Sequence, residues 1–191
     1  MKLIVAYQSE WISQFQQIQS ILQQQLGKQI SGIEHVGSTS VPDLAAKAII
    51  DIDIVYENAS FFPLICEGLA MLGYFHNGNQ GIPKREAFKR KKEAIQYPIL
   101  DKIPHHLYAC PKDSPELKRH LLFRDFLRKH KWARNEYVSI KMEIAAQTHQ
   151  DKAAYSLLKE SVATPFIEKV LLFAKDEFSI CLLYTSPSPR D

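Results

Sequence analysis

Asp51 and Asp53 stand two positions apart inside an apolar run, interleaved with Ile50, Ile52 and Ile54. In an extended strand, residues i and i+2 project from one face, about 6.5 Å apart along the axis. The two carboxylates therefore share a face and the isoleucines fill the other. Two carboxylates held together without a countercharge repel, and one is driven toward protonation. A divalent cation resolves that conflict, and hard oxygen ligands with room for water and phosphate suit Mg²⁺ or Mn²⁺ better than zinc. On this reading asparagine at either position relieves repulsion and leaves the metal-free protein at least as stable. Upstream lies a turn of Gly37, Ser38 and Thr39. Glycine lets backbone approach a phosphate closely, serine donates a hydrogen bond, and a following helix N-terminus favours anions. Carboxylates and a phosphate cradle together describe a site for a metal-bound nucleotide.

Either feature alone is common in proteins; their order and spacing are specific. Val36-Gly37-Ser38, twelve intervening residues, then Asp51-Ile52-Asp53-Ile54 resembles the signature of the nucleotidyltransferase superfamily. With "YQSEW", "IEHVGSTSVPDLAAKAIIDIDIV", "GIPKREAF" and "HHLYACPKDSPELKRHLLFRDFLRKH", nearly all of residues 1–176 resembles the GrpB family of nucleotidyltransferase-like proteins. The resemblance implies an α/β (α+β) fold, a nucleotidyltransferase-like mixed sheet core with a helical C-terminal part. It implies that Gly37 and Ser38 contact nucleotide phosphates, with Thr39 beside them, and that Asp51 and Asp53 bind metal. Active members of the wider superfamily commonly carry a third carboxylate on a later strand. Here the corresponding residues are His105-His106-Leu107-Tyr108, and His106 is the candidate helper, since histidine can act as base or metal ligand. The implied activity is transfer of a nucleoside monophosphate from NTP to an unknown acceptor. The alternatives are a catalytically inactive nucleotide-binding or regulatory module, or a structural protein using the fold without nucleotide.

Further candidates lie outside the signature. His120, Arg124 and Arg128 recur every four residues along one helix face, and Arg124, inside "FRDFLRKH", is a candidate for bidentate phosphate binding. Arg85 follows a glycine-containing turn and is a candidate substrate clamp. Lys47 either balances the aspartates or completes a helix end. His35 reads as a structural hydrogen-bonding residue, and Trp11 and Trp132 as core or interface.

These residues need elements to hold them. Trp11, Phe15, Ile18, Leu22 and Leu26 recur at three- and four-residue steps, which describes an amphipathic helix. Residues 30–36 and 48–56 read as strands, and Ser40-Val41-Pro42 as a helix start. Residues 61–73 read as a helix, 74–76 as a strand, 85–92 as strand or loop, 95–100 as an apolar run, and 105–110 as a strand. Ser114-Pro115-Glu116 carries a cap hydroxyl, a proline and an acid, a strong helix start. Three more helices are expected over 135–148, 151–162 and from Thr164-Pro165 to about 176.

A chain of 191 residues suits one domain with its own core, here 1–178. The net charge of +3 is too small to imply a nucleic-acid partner, although Lys84, Arg85, Lys89, Arg90, Lys91 and Lys92 concentrate positive charge. Cys66, Cys110 and Cys181 are odd in number and lack a metal-ligand spacing. A reduced cytoplasmic setting without a membrane span is therefore expected. Residues 181–191, "CLLYTSPSPRD", change composition abruptly and resemble translated adaptor sequence, so they are expected to be non-native and poorly packed.

Overall fold

The computed structural model describes residues 2–91 and 97–185, the last eight through their backbone. Helix α1 (Glu10–Leu26) buries the expected stripe of Trp11, Phe15, Ile18, Leu22 and Leu26. Strands β1 (Gly32–Val36) and β2 (Ile50–Tyr56) follow, then helix α2 (Phe62–Met71) and strands β3 (Tyr74–His76) and β4 (Glu86–Arg90). A short helix α3 (Pro98–Lys102) precedes strand β5 (His105–Pro111), and helices α4 (Pro115–Lys129), α5 (Lys131–Gln147) and α6 (Lys152–Thr185) follow.

The five strands form one mixed sheet in the order β1-β2-β5-β4-β3. β2 and β5 are parallel, and the other neighbours are antiparallel. On one face Ile50, Ile52, Ile54 and Leu107 pack under α1 and α2 with Ile18, Leu22, Ile65 and Leu69. Each such fully buried aliphatic side chain contributes on the order of 1.5–3 kcal/mol. A second core joins α4, α5 and α6 around Phe126, Tyr137, Phe166 and Val170, and takes in Val41 and Leu44. The other face of the sheet looks toward this helical half. Residues 3–5 bind the halves together. Val5 pairs with Ala46 as a bridge, Ile4 packs with Ile144 and Tyr155, and the Leu3 N–H donates to Gln150 at 2.9 Å.

Two sequence expectations need correction. No α-helix follows Ser40-Val41-Pro42. Ser38–Ser40 make a single 3₁₀ turn, and Asp43 at a φ of 63° turns the chain so that Val41 and Leu44 enter the helical core. Thr164-Pro165 does not start a new helix: α6 runs through Pro165. Packing of Ala163, Phe166 and Val170 on α4 and α5 outweighs the proline's lost hydrogen bond, and the Thr164 hydroxyl donates to the Glu160 carbonyl. Of the apolar run 95–100, residues 97–100 form the approach and first turn of α3, and 95–96 lie outside the described residues. The expectation of poor packing for 181–191 also lies outside the described side chains. Among the described residues no helix is long and apolar enough to cross a membrane.

Candidate active site

Strand alternation puts Asp51 and Asp53 on the sheet face opposite the isoleucine core, as their spacing requires. Register then decides their neighbours. Val36 of β1 stands opposite Asp51 and Glu34 opposite Asp53; on the other side stand His106 and Tyr108 of β5. The positions where a third acid was sought are thus occupied by an imidazole and a phenol.

The two carboxylates do not stand without countercharge. His106 Nδ1 donates to Asp51 Oδ1 at 2.8 Å, and His120 Nδ1, from α4, donates to Asp53 Oδ2 at 2.7 Å. His120 Nε2 lies 3.1 Å from Glu116 Oε1. Burial works against charge on this ring, but its hydrogen bonds to Asp53 and Glu116 outweigh that and raise its pKa to about 9. His120 is therefore an imidazolium at neutral pH, and Glu116, held by it and by Arg119, falls to about 2. α4 buries Asp53 completely, whereas Asp51 stays partly open. The second oxygen of each carboxylate has no hydrogen-bond partner among the described residues, and Asp53 Oδ1 is buried without one.

The turn lies against this pair. Gly37 has a φ of 70°, and a Cβ there would overlap the Asp51 carboxylate; the backbone can approach so closely only without a side chain. The Ser40 hydroxyl closes the turn onto the Gly37 carbonyl at 2.6 Å. Thr39 faces inward, donating to the Ile49 carbonyl at 3.3 Å and accepting from His35 at 3.0 Å. Burial lowers the His35 pKa to about 4, which keeps its ring neutral. His35 also stacks on Phe15 and is structural, as expected. Ser38 is the turn residue whose hydroxyl meets the helical half, accepting from Lys141 Nζ at 3.3 Å.

Lys141 was not anticipated. It lies on the buried stripe of α5 with Tyr137, Ile144 and Ala145, is 2% exposed, and also donates to the Ala45 carbonyl. Burial, aided by repulsion from Lys159, lowers its pKa to about 7. A lysine on an otherwise apolar helical stripe was the readable signal. Lys47 donates to the Ser156 hydroxyl at 3.0 Å over the Tyr155 ring, and burial and the nearby Lys159 and Lys152 lower its pKa to about 8. Lys159, Lys141, Ser38 and Asp51 line one cavity of about 300 Å³. A neighbouring cavity of about 200 Å³ shares Ser38, Asp51 and Lys159 and adds Gly37 and Arg85. The Arg85 guanidinium stacks 4.5 Å from the Tyr108 ring centre, and its buried Nε has no hydrogen-bond partner among the described residues.

The other two arginines line neither of these cavities. Arg124 binds Glu34 at 2.7 Å, the His35 carbonyl at 3.1 Å and Asp125 at 2.7 Å, which ties α4 to β1 outside both cavities. Arg128 donates to the Ser40 carbonyl at 2.9 Å. Trp11 is core, as expected, while Trp132 is partly exposed in an aromatic group with Phe126 and Phe173.

The free carboxylate oxygens and the donors around Ser38 fit a hard divalent cation carrying phosphate. Among the described residues no three His, Cys, Asp or Glu side chains form a metal cage. Phosphate and water oxygens would complete such a cation's shell, the usual habit of Mg²⁺.

Known proteins carry the same arrangement of elements. The crystal structure of the conserved protein GrpB from Enterococcus faecalis superposes with a TM-score of 0.74 at 29% identity, over 92% of this chain and 98% of that one. The Cid1 poly(U) polymerase, in a mutant bound to MgATP, superposes with a TM-score of 0.51 at 10% identity, over 78% of this chain and 46% of that one. At that identity the likeness shows a nucleotidyltransferase-like fold alone. The UPF0157 protein YqkA of Bacillus subtilis is 34% identical over 148 residues, 78% of this chain, which spans only 40% of YqkA. The GrpB protein family model matches residues 3–171, and with that the chain belongs to the GrpB family.

Proposed function

We propose that the chain is a metal-dependent nucleotidyltransferase that moves a nucleoside monophosphate from NTP to an acceptor hydroxyl. The observation that carries this reading is the division of labour in the aspartate pair. One oxygen of each carboxylate is held by a histidine and the other has no hydrogen-bond partner among the described residues, and the Asp51 carboxylate stands beside a turn whose glycine admits close backbone approach. Asp51 and Asp53 would hold Mg²⁺ or Mn²⁺, which when bound neutralises charge on the NTP phosphates. The Ser38 hydroxyl, the Gly37 turn and the ammonium groups of Lys141 and Lys159 would cradle those phosphates, and Arg85, on Tyr108, would clamp the substrate.

In the transfer, an acceptor oxygen bonds to the α-phosphorus, the bond from that phosphorus to the bridging oxygen breaks, and pyrophosphate leaves. The acceptor proton goes to His106. A carboxylate only accepts, so Asp51 fixes the proton on Nδ1 and leaves the Nε2 lone pair to serve as base. Cys66 and Cys110 are free thiols, consistent with a reducing, cytoplasmic setting.

A second reading, a nucleotide-binding module without turnover, is favoured by His106 and Tyr108 standing where a third acid would serve. Incubation with labelled NTPs, Mg²⁺ or Mn²⁺ and a cell extract separates the two. Labelled product and pyrophosphate, both lost in Asp51→Asn, are expected. Saturable nucleotide binding with no pyrophosphate release from any NTP supports the module, and no nucleotide binding at all overturns both.

A further inference from the structure

The pairing of β4 with β5 ends at Phe88 and Leu107, although β3 still pairs with β4 as far as Arg90 and β2 with β5 as far as His105. The two strands part there, and a cavity of about 700 Å³ opens between them, large enough for a small metabolite. Phe88, Leu100 and Ile103 give it an apolar floor. His106 and Tyr108 line both this cavity and the one that holds Ser38, Asp51 and Lys141. His106, with its side chain 52% exposed, stands between them.

Charge at the cavity is one-sided. Asp101 is the single acid among the described lining residues, and it is engaged by Arg90 Nε at 2.9 Å, Arg90 Nη2 at 2.6 Å and the Tyr97 N–H at 2.9 Å. Lys89 of β4 and Lys152 at the start of α6 also line it, and neither has an ion-pair partner among the described residues. The basic run of 84–92 is thereby divided. Lys84 pairs with Asp113, Arg85 stacks on Tyr108 and Arg90 binds Asp101, which leaves Lys89 available at this cavity.

We propose that this cavity is the acceptor subsite and takes a small phosphomonoester with an apolar or planar body and a free hydroxyl. The phosphate would lie at Lys89 and Lys152, the body on the Phe88 floor, and the hydroxyl toward His106, which receives its proton. Lysines bind phosphate as point charges, and the floor rewards an apolar body. This deepens the nucleotidyltransferase reading and rests on it.

The test uses the full chain and simple probes: phenyl phosphate and ribose 5-phosphate, each beside phenol or ribose, with and without Mg²⁺ and a non-hydrolysable NTP analogue. Affinities and the His106 ring-proton shift are followed by NMR. Phenyl phosphate is expected to bind most tightly, to shift His106, and to bind together with the analogue. Removing two solvent-facing charges, in Lys89→Gln combined with Lys152→Gln, is expected to weaken it by about tenfold, with analogue affinity changed less than about twofold. Equal or absent binding of phosphorylated and neutral probes, insensitivity to the double variant, or displacement of phenyl phosphate by the analogue would each overturn the subsite. Charge-dependent probe binding in a wild type that binds no nucleotide overturns the acceptor role by removing the reaction, a failure distinct from that of the pocket.

Discussion

Asp53 is sealed under α4 while Asp51 opens to the cleft, so loss of charge has different consequences at the two positions. The sequence presents them as an unpaired couple, for which asparagine at either site should leave the metal-free protein unharmed. His120 changes that expectation for Asp53. Asp53→Asn leaves a buried imidazolium with Glu116 alone, and the metal-free protein is expected to lose roughly 3 kcal/mol in urea denaturation. Asp51→Asn faces the partly exposed His106 and is expected to cost less than about 1 kcal/mol. Equal losses would show that burial of the ion pair is not what distinguishes them. The aspartates and Gly37 were legible because a period of two and a fixed spacing are local properties. The contacts His120 makes with Asp53, and Lys141 with Ser38, were not, because each joins side chains from elements whose docking no local pattern encodes.

At the scale of elements, the sequence was clearest where chemistry and periodicity agreed. Ser114 caps α4 by accepting from the Leu117 N–H, as Ser-Pro-Glu announces. It misled where a capping signal had no amphipathic run behind it, at Ser40 to Pro42, and where tertiary packing overrode a breaker, at Pro165. That override leaves a measurable residue. Proline inside a helix forfeits a hydrogen bond and is disfavoured by about 3 kcal/mol relative to alanine. Pro165→Ala is expected to raise the thermal midpoint, with a gain of roughly 1–3 kcal/mol. An unchanged or lowered midpoint would mean that the proline ring is itself required for the packing of Phe166 and Val170.

The whole molecule balances oppositely perturbed groups across pH. His120 has a folded pKa raised to about 9, so its contribution is complete below about 6.5 and is lost as pH rises through 9. Lys141, lowered to about 7, has the opposite sign: its contribution is complete above the ordinary lysine value and is lost as pH falls through 7. His35, lowered to about 4, contributes fully above about 6.5 and loses that as pH falls toward 4. Between pH 7 and 8, below the folded Lys47 value of about 8, the first two slopes oppose, and wild-type stability is expected to be nearly flat. In His120→Gln the lysine slope stands alone, so urea midpoints should rise with pH over that interval. A variant profile parallel to that of wild type would show that His120 is not the opposing group.

The short segment 3–5 touches Ala46, beyond the Gly37 turn, on one side and α5 and α6 on the other. One wall of the cleft comes from the sheet and the other from these helices, so the start of the chain acts as a clasp across a seam. Ile4 lines the same cavity as Ser38 and Lys141, so on the proposed reading the spacing of the phosphate-binding donors would be set partly by this clasp.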